Sequence, residues 1–75
     1  MKEADIYHRW VEWSDEDGVY IGRCPDLFVG GCHGDDPLKV YAELCEIVAE
    51  TVADLAREGK ALPKARTRPL VAAAA

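Results

Sequence analysis

Trp13-Ser14-Asp15-Glu16-Asp17-Gly18-Val19-Tyr20-Ile21-Gly22-Arg23-Cys24-Pro25 is the most informative run of this 75-residue chain. Its polar, glycine-ended middle lies between two segments rich in aromatic and β-branched side chains. Asp17-Gly18 in that setting is a short-range hairpin signal, because glycine takes the positive φ that a tight reversal requires. Val19 to Cys24 supplies the second strand. Pro25 has no N–H to give to a ladder and ends it. Upstream, Ile6 to Trp13 alternates loosely, with Tyr7, Val11 and Trp13 on one side and Ile6 and Trp10 on the other. This reads as the first strand, apolar on both faces. Downstream, Leu27-Phe28-Val29 followed by Gly30-Gly31 reads as a third strand running to about His33, with a bulge or close backbone approach at the paired glycines.

A long helix follows. Asp36 is a good N-cap, Pro37 suits the first helical position, and the periodic pattern continues to Glu58, with Gly59 placed to stop it. Leu38, Tyr41, Cys45, Val48, Val52 and Leu55 form one apolar face, opposite Lys39, Glu43, Glu46, Glu50, Asp54 and Arg57. Val40, Leu44 and Ile47 widen the apolar sector beyond what one small sheet should cover, which implies a second packing surface. Leu62-Pro63 is expected to anchor the helix end, Pro69-Leu70-Val71 to offer a short edge strand, and Ala72 to Ala75 to fray. The expected class is α+β: a three-stranded antiparallel sheet with one long helix packed on it, β-β-β-α, with room for a short fourth strand. Residues 1–63 form the domain, and residues 64–75 a basic, then alanine-rich, tail.

Size and composition narrow the function. Apolar residues make up 49% and charged residues 31% of the chain, a balance that excludes intrinsic disorder. A domain this short buries only ~60–65% of its unfolded surface, so self-association as a dimer or higher oligomer, or a standing partner, is expected. The mixed-charge N-terminus precedes no apolar run, so neither a signal peptide nor a membrane span is expected. Cys24, Cys32 and Cys45 cannot all pair within one chain and read as buried, inert thiols of a cytoplasmic protein. The net charge of −5 is uneven: all 14 carboxylates lie in residues 1–58, and residues 59–75 carry only basic charge. An acidic body repels phosphates and suits a basic protein partner. The basic tail, Lys60 to Arg68, reads as solvated.

No catalytic or metal-binding set emerges. Asp15, Glu16 and Asp17 share a solvated turn that offers no shelter from water for acid/base work. Glu43, Glu46 and Glu50 form a solvated helix stripe, with an i,i+4 pairing available between Lys39 and Glu43. Cys24, Cys32 and His33 come nearest to a metal set, but zinc sites favour short Cys-x2–4-Cys pairs, and the further ligand would have to be Cys45 or His8. Cys32 and His33 are adjacent in a strand and point to opposite faces. Gly30, Gly31 and Gly34 lead into Asp35-Asp36, whose charges repel phosphate from the helix N-terminus. Neither cofactor nor metal is expected, and no enzymatic activity.

Three of these motifs, in this order, resemble the HicB antitoxin family. Residues Trp13 to Ile21 are similar to its first hairpin. Cys24-Pro25-Asp26-Leu27 is similar to its Pro-Asp/Glu-Leu turn, and Gly31-Cys32-His33-Gly34-Asp35-Asp36-Pro37 to its glycine-rich run into the helix. The resemblance covers residues 6–63. It implies a partial ribonuclease-H-like domain without catalytic carboxylates, which binds and neutralises a HicA-type toxin, a small basic mRNA interferase. Trp13, Gly18, Tyr20, Pro25, Asp26, Leu27, Gly31, Gly34, Asp36 and Pro37 are then fold determinants. Asp15, Glu16 and Asp17 at the hairpin tip and Glu43, Glu46 and Glu50 on the helix are the candidate partner contacts. Many family members add a C-terminal DNA-binding module. The stretch after Pro63 is too short for one, so direct DNA binding is not expected. Three alternatives stay open: an orphan HicB-like regulatory or oligomeric protein, a weak nucleic-acid binder through the basic tail, and a reduced nuclease using Asp26 or Asp35.

Overall fold

The hairpin and the helix form where the local signals place them. The computed structural model describes residues 3–67, and in it strands β1 (Trp10–Ser14), β2 (Val19–Arg23) and β3 (Gly31–Gly34) precede helix α1 (Pro37–Arg57). The sheet is antiparallel in the order β1-β2-β3, with Trp13 opposite Tyr20 and Gly22 opposite Cys32. The class is α+β, with one long helix on a three-stranded sheet. The β1–β2 connection has four residues, Asp15 to Gly18, closed by the Gly18 N–H donating to the Ser14 carbonyl at 2.7 Å. Ser14 Oγ accepts the Asp17 N–H at 3.3 Å within that loop.

Helix α1 starts and stops as its caps dictate. Asp36 accepts the Leu38 N–H at 2.9 Å, and Pro37 follows it. At the far end the Lys60 N–H reaches the Leu55 carbonyl at 2.9 Å and the Gly59 N–H the Ala56 carbonyl at 3.1 Å, with Gly59 at φ 72°. This pair of bonds satisfies two of the last free carbonyls.

Two strands are shorter than the sequence pattern implies. Strand β1 begins at Trp10 rather than Ile6, because Glu3–Ile6 is a 3-10 turn and Tyr7 drops into the core, only 2% exposed. Arg9 fixes that turn: its guanidinium donates to the Tyr7 carbonyl at 3.1 Å and to the Ala4 carbonyl, acceptors a longer strand would have left free for a ladder. Strand β3 begins at Gly31, and Leu27-Phe28-Val29 is not part of it. Pro25 starts a turn instead, closed by the Leu27 and Phe28 N–H groups on the Cys24 carbonyl at 3.1 and 3.2 Å. Leu27 and Phe28 pack on the core from that turn, and Val29 is fully exposed.

The helix is also rotated from the expected face. Val40, Leu44, Val48 and Val52 are its buried residues, whereas Leu38 is 81% and Tyr41 45% exposed. The residues read as surplus therefore include the core, and the surplus surface lies around Leu38 and Tyr41. Gly22 accounts for the choice. A Cβ on it would lie 3.2 Å from Leu44 Cδ2 and 3.0 Å from Cys32 Sγ, so its absence lets Leu44 settle directly on β2. Tyr7, Cys24 and Cys32 complete the buried cluster, with Val11, Tyr20 and Leu62 packed around it. By strand alternation the other face of the sheet carries Trp10, Glu12, Val19, Ile21, Arg23 and His33. No described element covers it. The fourth strand expected at Pro69-Leu70-Val71 and the fraying of Ala72 to Ala75 lie outside the described residues.

Truncating Leu44 to Ala should cost about 2–5 kcal/mol, the usual range for a fully buried leucine, and lower the urea midpoint accordingly. Gly31→Ala should cost more than Gly18→Ala. A Cβ at Gly31 would stand 1.8 Å from the Gly22 carbonyl oxygen, whereas at Gly18 it meets open space. Equal urea midpoints for the two variants would contradict this packing.

Candidate functional site

The acidic side chains occupy two separate surfaces. At the hairpin tip, Asp15 Oδ1 accepts the Trp13 indole N–H at 2.6 Å, and Asp17 Oδ2 accepts the Ser14 hydroxyl at 3.1 Å. Both carboxylates thus shape the turn, while Glu16 stands exposed at its apex. Glu43, Glu46 and Glu50 are exposed along α1. The Lys39–Glu43 pairing that the spacing makes available is not made. Among the described residues the ion pairs are Arg23–Glu12 at 3.1 Å, Arg57–Asp54, and Lys60–Glu58 at 3.0 Å. The six candidate contacts therefore carry charge that no described cation neutralises.

Two concavities flank these groups, and both include His33. One is a shallow depression of about 520 Å³ on the uncovered sheet face, walled by Asp17, Val19, Ile21, Arg23 and His33. The other is a groove of about 270 Å³ between β3 and the start of α1, where Glu43 and Asp36 face His33 and Gly34. On the open face His8 stacks on Trp10 at 5.2 Å. Glu12 accepts the Trp10 indole N–H at 2.7 Å while also pairing with Arg23. The structure thus puts Asp17 of the hairpin tip beside one concavity and Glu43, the leading helix acid, beside the other.

The fold determinants take up their places around this frame. Trp13 lies half exposed across Tyr20, ring centroids 5.0 Å apart in an edge-on contact. Gly18 closes the hairpin, Pro25 opens the turn after β2, Leu27 packs on the core, and Gly34 sits against Val40. Asp36 and Pro37 begin α1.

Asp26 does more than a turn residue. Its Oδ2 accepts the Arg66 and Thr67 N–H groups at 2.9 and 2.8 Å, and its Oδ1 accepts the Thr67 hydroxyl at 2.9 Å. Donation from the Thr67 amide, with that from the Thr67 hydroxyl and Arg66, holds this carboxyl below the usual aspartate range. Tyr7 donates its hydroxyl to the Pro63 carbonyl, and Leu62 and Ala65 pack on the core. Residues 64–67, read from the sequence as tail, are thereby clasped to the body. A contact spanning 41 residues leaves no local pattern to read. The only hint was an acidic residue placed directly after a strand-ending proline.

The groups capable of chemistry are held apart. Burial pushes the Cys24 and Cys32 thiols up in pKa, and Cys32 Sγ points to the Val40 carbonyl at 3.4 Å. Both are therefore protonated thiols with little nucleophilic character at neutral pH. Cys32 is buried and the neighbouring His33 exposed, on opposite faces of β3. Asp26, one residue of the reduced-nuclease alternative, has its oxygens taken by three donors. Among the described residues no three His, Cys, Asp or Glu side chains gather as metal ligands would. No described helix is long and apolar enough to cross a membrane. No family model, curated protein or solved structure matches the chain.

The Asp26 clasp has a readable pH dependence. Its folded-state pKa is depressed, so its contribution is complete above the ordinary aspartate value of ~3.9 and is lost only as pH falls through the lower folded value. Protection of the Arg66 and Thr67 amides, corrected for the intrinsic pH dependence of exchange, should hold at pH 5 and be lost only as pH falls below the ordinary aspartate value of ~3.9. Asp26→Ala should open the clasp at neutral pH and speed tryptic cleavage after Lys64 and Arg66 several-fold. Unchanged cleavage would show that the segment is held by other contacts.

Proposed function

We propose that this chain is a HicB-like antitoxin domain: a non-catalytic cytosolic protein that binds a small basic HicA-type mRNA interferase and covers its RNA-cleaving surface. The observation that carries the reading is the placement of charge on this fold. Asp15, Glu16, Asp17, Glu43, Glu46 and Glu50 are exposed and lack a described cationic partner. Their charge draws a cationic protein into encounter and disfavours anionic competitors such as RNA itself. The β-β-β-α order, with the three motifs at its turns and at the start of its helix, supports the same reading. The exposed Leu38 and Tyr41 on α1 offer apolar surface for self-association without using the acidic stripe.

The test is to mix the purified chain with the product of the adjacent gene where that product is a small basic protein. A stoichiometric complex that abolishes RNA cleavage is expected. Changing Glu43, Glu46 and Glu50 together to Lys should slow association by tenfold or more, and rising salt should slow the native pair in the same direction. Absence of both complex and inhibition would remove the toxin-binding reading.

A further inference from the structure

Among the described residues, strand β3 is an edge of the sheet. It pairs with β2 along Gly31–Gly34, and no described residue pairs with its other side. In an antiparallel pair alternate N–H and C=O groups face away from the partner strand, so that side of β3 carries main-chain donors and acceptors that no described strand takes up. Protein edges are commonly blocked by proline or lysine. β3 carries neither, and its terminal residues, Gly31 and Gly34, present no side chain to an incoming backbone.

The surroundings of this edge choose its occupant. The groove between β3 and α1 is lined by Asp35, Asp36 and Glu43 against a single cation, Lys39. None of the three carboxylates is in an ion pair with a described residue. Pairing of β3 with β3 of a second copy would bring two such carboxylate sets together in chains of net charge −5, which like-charge repulsion opposes. A cationic strand meets no such obstacle.

We infer that the β3 edge is a strand-addition site for an extended segment bearing Lys or Arg at alternate positions. Its main chain bonds to Gly31–Gly34 as a fourth strand. Because side chains alternate between faces, its cations lie over Asp35 and Glu43 while the intervening residues extend the open sheet face of Val19 and Ile21. This rests on the reading of the chain as a binder of a basic protein, and narrows it to one edge.

The experiment titrates the isotopically labelled full chain with the peptide Thr-Lys-Val-Lys-Val-Lys-Thr and follows the amide resonances. Saturable binding is expected, with the Gly31–Gly34 amides shifted and slowed in exchange. Methylating alternate backbone nitrogens of the peptide, on its pairing edge, should weaken binding at least tenfold. The double variant Asp35→Lys, Glu43→Lys, checked for an unchanged urea midpoint, should weaken it several-fold, and replacing the peptide's lysines by glutamate should abolish it. Shifts confined to Asp15–Asp17 or to the open sheet face, or equal binding of the methylated peptide, would overturn the inference. So would a dimer of the chain alone whose β3 amides are already protected, since a second copy would then own the edge. The same amides separate the edge site from the antitoxin reading. A ribonuclease complex that leaves them freely exchanging overturns the edge and spares the antitoxin reading. Peptide binding there without any ribonuclease complex upholds the edge and removes that reading.

Discussion

The contact of Leu44 with β2 is the constraint from which the rest of this structure follows. Leu44 is wholly buried, and Gly22 lies beneath it with no Cβ to hold it off. That close approach decides which of several apolar stripes on α1 becomes core. Val40, Val48 and Val52 fall in line with Leu44 at helical spacing, and Leu38 and Tyr41 are carried outside. A single helix seated this closely covers one sheet face only. The face left uncovered by any described element and the exposed apolar flank of α1 both follow from this seating of the helix.

What could be read from the sequence divides along the range of the interactions. The hairpin at Gly18 and both ends of α1 were legible because their determinants lie within a few residues: a turn glycine, an N-capping aspartate before proline, a C-terminal glycine. The face of the helix was not. Periodicity gives the width of an apolar sector, but the stripe that turns inward is selected by Gly22 in another element. Ile6 and Tyr7 imitated a strand because alternation is satisfied equally by a turn that drops one aromatic into the core, and the Arg9 bonds that favour the turn have no periodic signature. Leu27 and Phe28 likewise reach the core from a turn, so their apolar character did not specify strand. The acidic positions were legible as exposed from their place in a polar turn and on the polar face of the helix, whereas the absence of the Lys39–Glu43 pairing was not. That Glu43 faces His33 across a groove depended on the path of β3.

The clasp at the other end of the molecule compensates for the small core. Tyr7 and Asp26 lie far apart in sequence from Pro63 and Thr67, yet they fasten the same C-terminal segment over the buried cluster. Their protonation states are complementary. Burial, and then the Asp26 charge, raise the Tyr7 pKa, which keeps its hydroxyl a neutral donor, while three donors keep Asp26 an anionic acceptor. Pro25-Asp26-Leu27 therefore performs three tasks in three residues. Proline opens the turn, aspartate fastens a distant segment, and leucine packs on the core.

The same division of labour bears on how a partner would be held. The ionisable groups inside, Tyr7, Cys24 and Cys32, are kept neutral, and the charged groups lie at the surface, so the interior provides shape and the exterior provides attraction. A four-residue edge offers few main-chain hydrogen bonds, each worth about 0.5–1.5 kcal/mol net, so strand addition alone gives weak binding. Acidic side chains around the groove speed encounter more than they deepen affinity. Tight binding on this fold must then draw on a third source, and the uncovered sheet face beside β3 supplies it. Val19 and Ile21 there are apolar and partly exposed, on the strand next to β3. A partner that only adds a strand dissociates quickly. One that adds a strand and lays an apolar surface across the same face buries the open side that Leu44 and Gly22 leave behind.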